Sequence, residues 1–420
     1  MKDAEAIIVG AGLAGLAAAT QLAAAGVRVR VIDAAAQAGG RCRSYHDPQI
    51  GGTIDNGNHL VLSGNAHVMR YLDRIGGRHL MTGPDEAVFR FVDMKTGDRW
   101  QVTPNDGPVP WWLLSQKRRV PGAGLLKHAG LARLLRGGRD RTVGELVPTA
   151  GPLWDRFLEP ILVAALNTRP ETGSARLTAN TISRSLLRGG RATRPLTAEP
   201  TLAAAFVTPA LKLIEASGGT FATGKRLRSI RFEGARAAAL DFGSETEALG
   251  PQTALILAVP PWIAAGLVPD LVVPSEFRPI VNAHFAVPPP PGAPASIGLI
   301  GGTAEWIFAF HDRLSITVSA ADHLLERPRE ELARTFWSEI VQVHGLTGEM
   351  PAWQIVREKR ATFAATPKQD ARRPGAATRW RNLVLAGDWT QTGLPATIEG
   401  AVQSGHTAAD LLAASGFSFS

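Results

Sequence analysis

Ile7-Ile8-Val9-Gly10-Ala11-Gly12-Leu13-Ala14-Gly15 decides the fold, because a run of buried-strand residues flows into a G-x-G-x-x-G turn and then into an alanine-rich helix. Each glycine has its own task. Gly10 turns the chain tightly, Gly12 lets the backbone approach a pyrophosphate, and Gly15 lets the helix pack close on the strand, with Ala11, Leu13 and Ala14 completing the loop. The pyrophosphate then meets the helix N-terminus, where unpaired N–H groups and the helix dipole favour an anion. Further on, Val27-Arg28-Val29-Arg30-Val31-Ile32 alternates like a second strand and ends in Asp33, placed to accept hydrogen bonds from both hydroxyls of an adenosine ribose. The pattern predicts an α/β fold built on a Rossmann-like dinucleotide-binding domain.

The 420 residues are enough for two or three domains, and 45% hydrophobic with 20% charged residues describes an ordinary globular chain. The net charge is +8, carried mostly by arginine. Two readings of that charge stand: a compositional bias, or attraction to acidic partners such as anionic lipid head groups. No nucleic-acid motif accompanies it, and no metal-ligand spacing is evident. The single cysteine, Cys42, excludes an intramolecular disulfide and suits a reducing, cytoplasmic compartment. Its neighbours Arg41 and Arg43 lower a thiol pKa in principle, while its place beside a ligand loop explains it equally well. The apolar N-terminus has a glycine turn where a signal peptide is continuous. The apolar stretch Thr253 to Val273 is interrupted by Pro260, Pro261, Pro269 and Asp270, so a spanning helix is not expected there.

After Asp33 comes Gly39-Gly40-Arg41-Cys42-Arg43-Ser44, whose glycines admit a bulky ligand and whose Arg41 offers a planar fork to a phosphate. Gly51-Gly52-Thr53-Ile54-Asp55-Asn56-Gly57-Asn58-His59 reads as a short strand and a polar turn. Near the C-terminus, Leu383-Val384-Leu385-Ala386-Gly387-Asp388 is a strand ending in an acid able to accept a hydrogen bond from a ligand hydroxyl. Thr397-Ile398-Glu399-Gly400 then starts a helix whose first N–H groups favour negative charge on a ligand. Together these motifs resemble the flavoprotein superfamily of amine oxidases and carotenoid desaturases. The resemblance implies noncovalent FAD, touched by Gly10 to Gly15, Asp33, Gly40, Arg41, Gly57, Asn58, Leu227, Gly387, Asp388, Thr397 and Ile398. It also implies a discontinuous FAD domain (residues 1–82, 201–261 and 380–420) and a mixed α+β substrate domain inserted as residues 83–200 and 262–379.

Amine oxidases usually carry an aromatic residue where this chain has Thr397, so an amine cage is not expected. Asp55-Asn56-Gly57-Asn58-His59, Glu358-Lys359-Arg360-Ala361-Thr362-Phe363 and Gly387-Asp388-Trp389-Thr390 resemble the squalene-associated branch, the hydroxysqualene dehydroxylase family, over nearly the whole chain. That family implies reductive loss of the hydroxyl of hydroxysqualene, with hydride from reduced FAD and an unidentified electron donor behind it. Two alternatives stand: a carotenoid-type desaturase running the flavin oxidatively, and a non-catalytic FAD-binding protein on the membrane. A group must protonate or polarise the leaving hydroxyl. His59, Lys359 and Asp55 are candidates, with His59 equally readable as a structural histidine. Trp111-Trp112-Leu113-Leu114, Lys117-Arg118-Arg119 and a leucine-rich helix candidate over Leu125 to Arg136 form either a membrane-interface segment or core tryptophans beside a solvated charge run. The first reading places the protein peripherally on the inner face of the cell membrane.

Overall fold

A computed structural model describes residues 4–125, 128 and 130–414. Strand β1 (Glu5–Val9) is buried on both faces, as expected of a central parallel strand rich in Ile and Val. It leads through Gly10 to Gly12 into helix α1 (Leu13–Ala24), and β2 (Arg28–Ile32) returns parallel beside it. Three distant segments complete this sheet. In spatial order the five parallel strands are Thr220–Ala222, β2, β1, Thr253–Leu257 and Leu383–Leu385. The strand order reverses at β1, so the ligand crevice of such a sheet lies outside the carboxyl end of β1, at Gly10.

A seven-stranded sheet forms the second body. Five of its strands come from one stretch, Phe277–Phe285 to Trp353–Phe363, and two, Phe89–Asp93 and Arg99–Val102, from an earlier one. The two groups join where Ser296–Ile300 pairs parallel with Phe89–Asp93. One face packs Val281, Ile307 and Ile316 against Phe336 and Ile340 of the helix Arg329–His344. The opposite face presents Phe91, Trp306 and Phe308 to a cluster that continues through Leu162 and Trp389 to Ile7 and Leu255 of the first sheet. A single apolar interior therefore runs from the cofactor sheet into the inserted body.

The segment from Leu125 to Arg136 contains a 3-10 helix over Gly130–Arg136, with residues 126, 127 and 129 outside the described part. Trp112 is half-buried, edge-on to His128 and packed on the core. Its neighbour Trp111 faces outward. Two of the three adjacent cations are tied internally: Arg118 lies 5.2 Å over the Trp111 ring and donates to the Thr103 carbonyl, and Arg119 donates to the Leu113 carbonyl.

Candidate cofactor site and active site

The glycine loop is held by its own backbone. A Cβ on Gly10 would lie 2.3 Å from the Ala258 carbonyl oxygen, and one on Gly15 would lie 1.9 Å from the Gly10 carbonyl oxygen, so both positions exclude any side chain. Gly12 differs. Its φ of −74° suits any residue, yet a Cβ there would meet no atom of the chain within 4 Å. The space over Gly12 is thus kept clear by the fold, which is what a pyrophosphate resting on the first N–H groups of α1 requires. Gly39, at φ 107°, bridges backbone to backbone with Gly12, and its N–H donates to the Ala11 carbonyl, so the two glycine turns form one floor.

Asp33 sits at the end of β2 with its two oxygens accepting from the N–H groups of Ala11 (2.6 Å) and Ala35 (2.7 Å). Each oxygen keeps a further lone pair for a ribose hydroxyl. At the other end, the Gly387 N–H donates to Ser404 Oγ at 2.8 Å, fastening the Leu383–Leu385 strand end to the helix Ile398–Ala414. Asp388 is buried, and its carboxylate accepts from the Arg41 guanidinium at 2.7 Å. Arg41 also donates to the Ala361 carbonyl, so one side chain links the glycine floor, the C-terminal acid and the strand that carries Lys359. Thr397 Oγ1 accepts from the Gly400 N–H at 3.1 Å and closes the first turn of that helix, where Ile398 is buried. Leu227 is buried just before the Ser229–Glu233 strand. Cys42 is buried too, and burial pushes its thiol up to about 12, opposite to the lowering that its arginine neighbours suggest.

The three candidate proton donors part company. Asp55 is sealed: Oδ1 accepts from Ser44 Oγ (2.5 Å) and the Leu202 N–H (3.0 Å), and Oδ2 faces Arg313 at 3.5 Å. Burial raises its pKa against those stabilising partners. With no free face towards the cleft, Asp55 fastens the two bodies together and leaves the set of proton donors. His59 is half-buried, and burial together with the nearby Arg41 lowers its pKa to about 4. It is therefore a neutral imidazole near pH 7, offering an N–H hydrogen bond rather than a full proton. Lys359 is exposed in an irregularity of the Trp353–Phe363 strand. Between the pairs Arg278–Thr362 and Ile280–Glu358, residues 359 to 361 face Pro279 alone. That bulge re-aims the strand next to the Ala361 carbonyl held by Arg41.

Gly57 and Asn58 sit against the inserted sheet. A Cβ on Gly57 would come within 2.9 Å of Asn282 Nδ2, and Asn58 Nδ2 donates to the Ile316 carbonyl (3.1 Å) and Thr317 Oγ1 (3.0 Å). The side chain of Asn58 is a clamp between bodies.

With this geometry established, comparison with known proteins is informative. A family model described as flavin containing amine oxidoreductase matches residues 13–413. A hydroxysqualene dehydroxylase from Rhodopseudomonas palustris is 50% identical over 410 residues, covering 97% of this chain and 98% of the relative. The chain belongs to the hydroxysqualene dehydroxylase family. A second hydroxysqualene dehydroxylase, from Sinorhizobium fredii, is 50% identical over 96% of this chain and 97% of its own length. Membership makes the protein an FAD-dependent oxidoreductase, and the clear space over Gly12 fits that cofactor. Among solved structures, an oxidoreductase from Methanosarcina mazei superposes with TM-score 0.72 at 14% identity, covering 97% of this chain and all of the other. Cyclohexylamine oxidase from Brevibacterium oxydans gives 0.70 at 17% identity, over 98% and 99%. These two share the fold.

For this hydroxysqualene dehydroxylase family member, two site-supporting residues have no signature in the sequence. Arg373 is buried and donates to the Asp388 carbonyl (3.0 Å), Thr392 Oγ1 (2.8 Å) and Asp370 (3.0 Å), which fixes the loop after the C-terminal strand. Asn282 accepts from the Asn58 N–H and from Thr317 Oγ1. Asn282 lies more than two hundred residues from Asn58, and Arg373 15 to 19 residues from the loop it fixes.

Proposed function

We propose that this protein removes the hydroxyl of hydroxysqualene reductively to give squalene. The observation that carries the reading is 50% identity over 97% of the chain to a protein of that name, together with Thr397 in place of an aromatic cage residue. Bound reduced FAD supplies a hydride. The chain supplies the surroundings: Gly10, Gly12, Gly15 and Gly40 form the floor for the pyrophosphate, Asp33 and Asp388 receive the ribose and ribityl hydroxyls, and the N-terminus of the helix Ile398–Ala414 faces the ring. Loss of the hydroxyl leaves an allylic cation, which water would recapture, so a dry interior is needed. The packed apolar cluster that includes Phe91, Phe308, Phe363 and Trp389 excludes water from the region between the two sheets. Of the remaining candidates, Lys359 is the cation that can deliver a proton to the leaving oxygen, and neutral His59 can hold that oxygen by an N–H hydrogen bond.

The protein acts at a membrane surface in this reading, since a C30 hydrocarbon dissolves in the bilayer and not in water. Among the described residues no helix is long and apolar enough to cross a membrane. Support for surface contact comes from Val109, Trp111 and Leu114, large apolar side chains exposed together on one turn. Purified FAD-loaded protein given hydroxysqualene and dithionite should yield squalene, identified by lipid extraction and mass analysis. Absence of squalene under those conditions, with flavin reduced and bound, would overturn the proposal.

A further inference from the structure

Two stretches distant in sequence meet beside that exposed turn, and one buried residue, Asn105, shapes the first with its side chain and holds the second with its backbone carbonyl. Asn105 donates through Nδ2 to the carbonyls of Gly107 and Val109, both at 3.0 Å, while its Oδ1 accepts from the Trp112 N–H at 3.2 Å. Its backbone carbonyl accepts from the Gly190 N–H at 2.6 Å. Gly189, at φ +84°, lies so close that a Cβ would sit 2.2 Å from the Gly107 carbonyl oxygen. Asn105 thus sets the shape of residues 107–112, and the glycine pair seats the turn Leu186–Ala192 flush against it.

Between the two turns lies a depression of about 360 Å³, lined by Gly64, Asp106, Pro108, Arg188, Arg191 and Ala192 among others. Arg188 and Arg191 are exposed, and neither guanidinium makes a hydrogen bond or ion pair among the described residues. With Asp106 also lining the cup, two cations face one carboxylate, which leaves a net attraction for a monoanion. Next in the chain to the lining residues Pro108 and Arg188, Val109 and Leu187 are exposed, as are Trp111 at 53% and Leu114 at 72% on the turn that Asn105 shapes. Six of the eight exposed large apolar side chains among the described residues lie within 109–135 or at Leu187. Apolar side chains beside unneutralised guanidinium groups match the depth order of a bilayer surface, with acyl chains below and phosphates above. Lys117 is also exposed on this stretch, whereas Arg118 and Arg119 are already engaged internally.

We propose that this cup seats the phosphodiester headgroup of an anionic membrane lipid, held by Arg188 and Arg191 while Val109, Trp111 and Leu114 enter the interface. The proposal rests on the membrane-surface reading above and adds to it a defined site and lipid class. The test is sedimentation of the FAD-loaded protein with phosphatidylglycerol vesicles and, separately, with phosphatidylcholine vesicles. Each cation near such a surface contributes about 1 kcal/mol, so Arg188→Ser/Arg191→Ser should lower partitioning onto phosphatidylglycerol about 30-fold. Weak binding to phosphatidylcholine should stay as it was. Lys212→Ser/Arg381→Ser, an equal loss of charge at two other exposed positions, should change partitioning less than threefold. Flavin content equal to wild type certifies the fold of each variant. If the arginine variant behaves like the Lys212/Arg381 control while Trp111→Ser/Leu114→Ser abolishes pelleting, the cup is not the headgroup seat although the surface reading holds. If Trp111→Ser/Leu114→Ser also pellets like wild type, both fail.

Discussion

Gly12→Ala separates the cofactor's demand on the glycine loop from the fold's demand. The conformation at Gly12 accepts alanine, and the added methyl would meet no atom of the chain. Replacing glycine at a compatible conformation contributes about 0.4–1 kcal/mol of stability, which offsets the poorer capping of α1 by alanine. The melting temperature of the apoprotein should therefore stay within a few degrees of wild type. With FAD the same methyl stands where the pyrophosphate rests, and overpacking costs about 1–3 kcal/mol, or about fivefold to a hundredfold in dissociation constant. Gly15→Ala is the counterpart. Its methyl would lie 1.9 Å from the Gly10 carbonyl oxygen, so it should destabilise the apoprotein itself by about 3 kcal/mol or more. The assay is thermal melting of apoprotein followed by FAD titration read from flavin fluorescence. FAD binding by Gly12→Ala within twofold of wild type would refute the placement of the pyrophosphate over this loop.

Asp33→Ala and Asp388→Ala should each weaken FAD retention about tenfold to a hundredfold, because each removes an ionised acceptor contributing about 1.5–3 kcal/mol; unchanged occupancy at limiting FAD would contradict the assignment. Acid precipitation should release the flavin to the supernatant, since Cys42 is buried with its thiol pushed up to about 12 and offers no reactive thiolate; flavin left on the pellet would show a covalent link. His284 is fully buried, bonded through Nδ1 to Ser315 Oγ at 2.9 Å, and burial with Arg313 nearby lowers its pKa to about 3. Below the unfolded value near 6.5 the unfolded chain takes up a proton that the folded chain refuses, so stability falls as pH drops towards 3. Urea unfolding of His284→Asn should show a shallower acid decline than wild type, by at most about 1.4 kcal/mol per pH unit; identical slopes would count against a neutral buried imidazole.

Local pattern was sufficient for the opening strand, glycine turn and helix of the first sheet. The glycine spacing, the alternation of β2 and the acids Asp33 and Asp388 lie within continuous segments, each dictated by steric or hydrogen-bonding needs of a few neighbouring residues. The helix Arg329–His344 carries the same kind of local signal, a periodic apolar face closed by Gly345 at φ +64°. The nine-residue strand Phe277–Phe285 was not. It contains Pro279 and leads to the tetraproline stretch, and its strand character comes from pairing with Leu314–Val318 and Trp353–Phe363. The joining of Phe89–Asp93 to Ser296–Ile300, across some two hundred residues, likewise has no local signal.

At the site, sequence indicated which residue types are present, while tertiary structure decided their state. Asp55 and His59 are four residues apart in one polar turn, yet Ser44, Leu202 and Arg313 close over Asp55 while His59 stays partly open beside Arg41. Trp111 and Trp112 are adjacent and chemically identical, but Asn105 fixes the turn so that one ring faces solvent and the other the core. Arg118 and Arg188 have the same charge in the sequence. Only the fold determines that the first is bound to Thr103 and Trp111 while the second has no side-chain partner among the described residues, because burial and partners are set by which distant segment packs alongside.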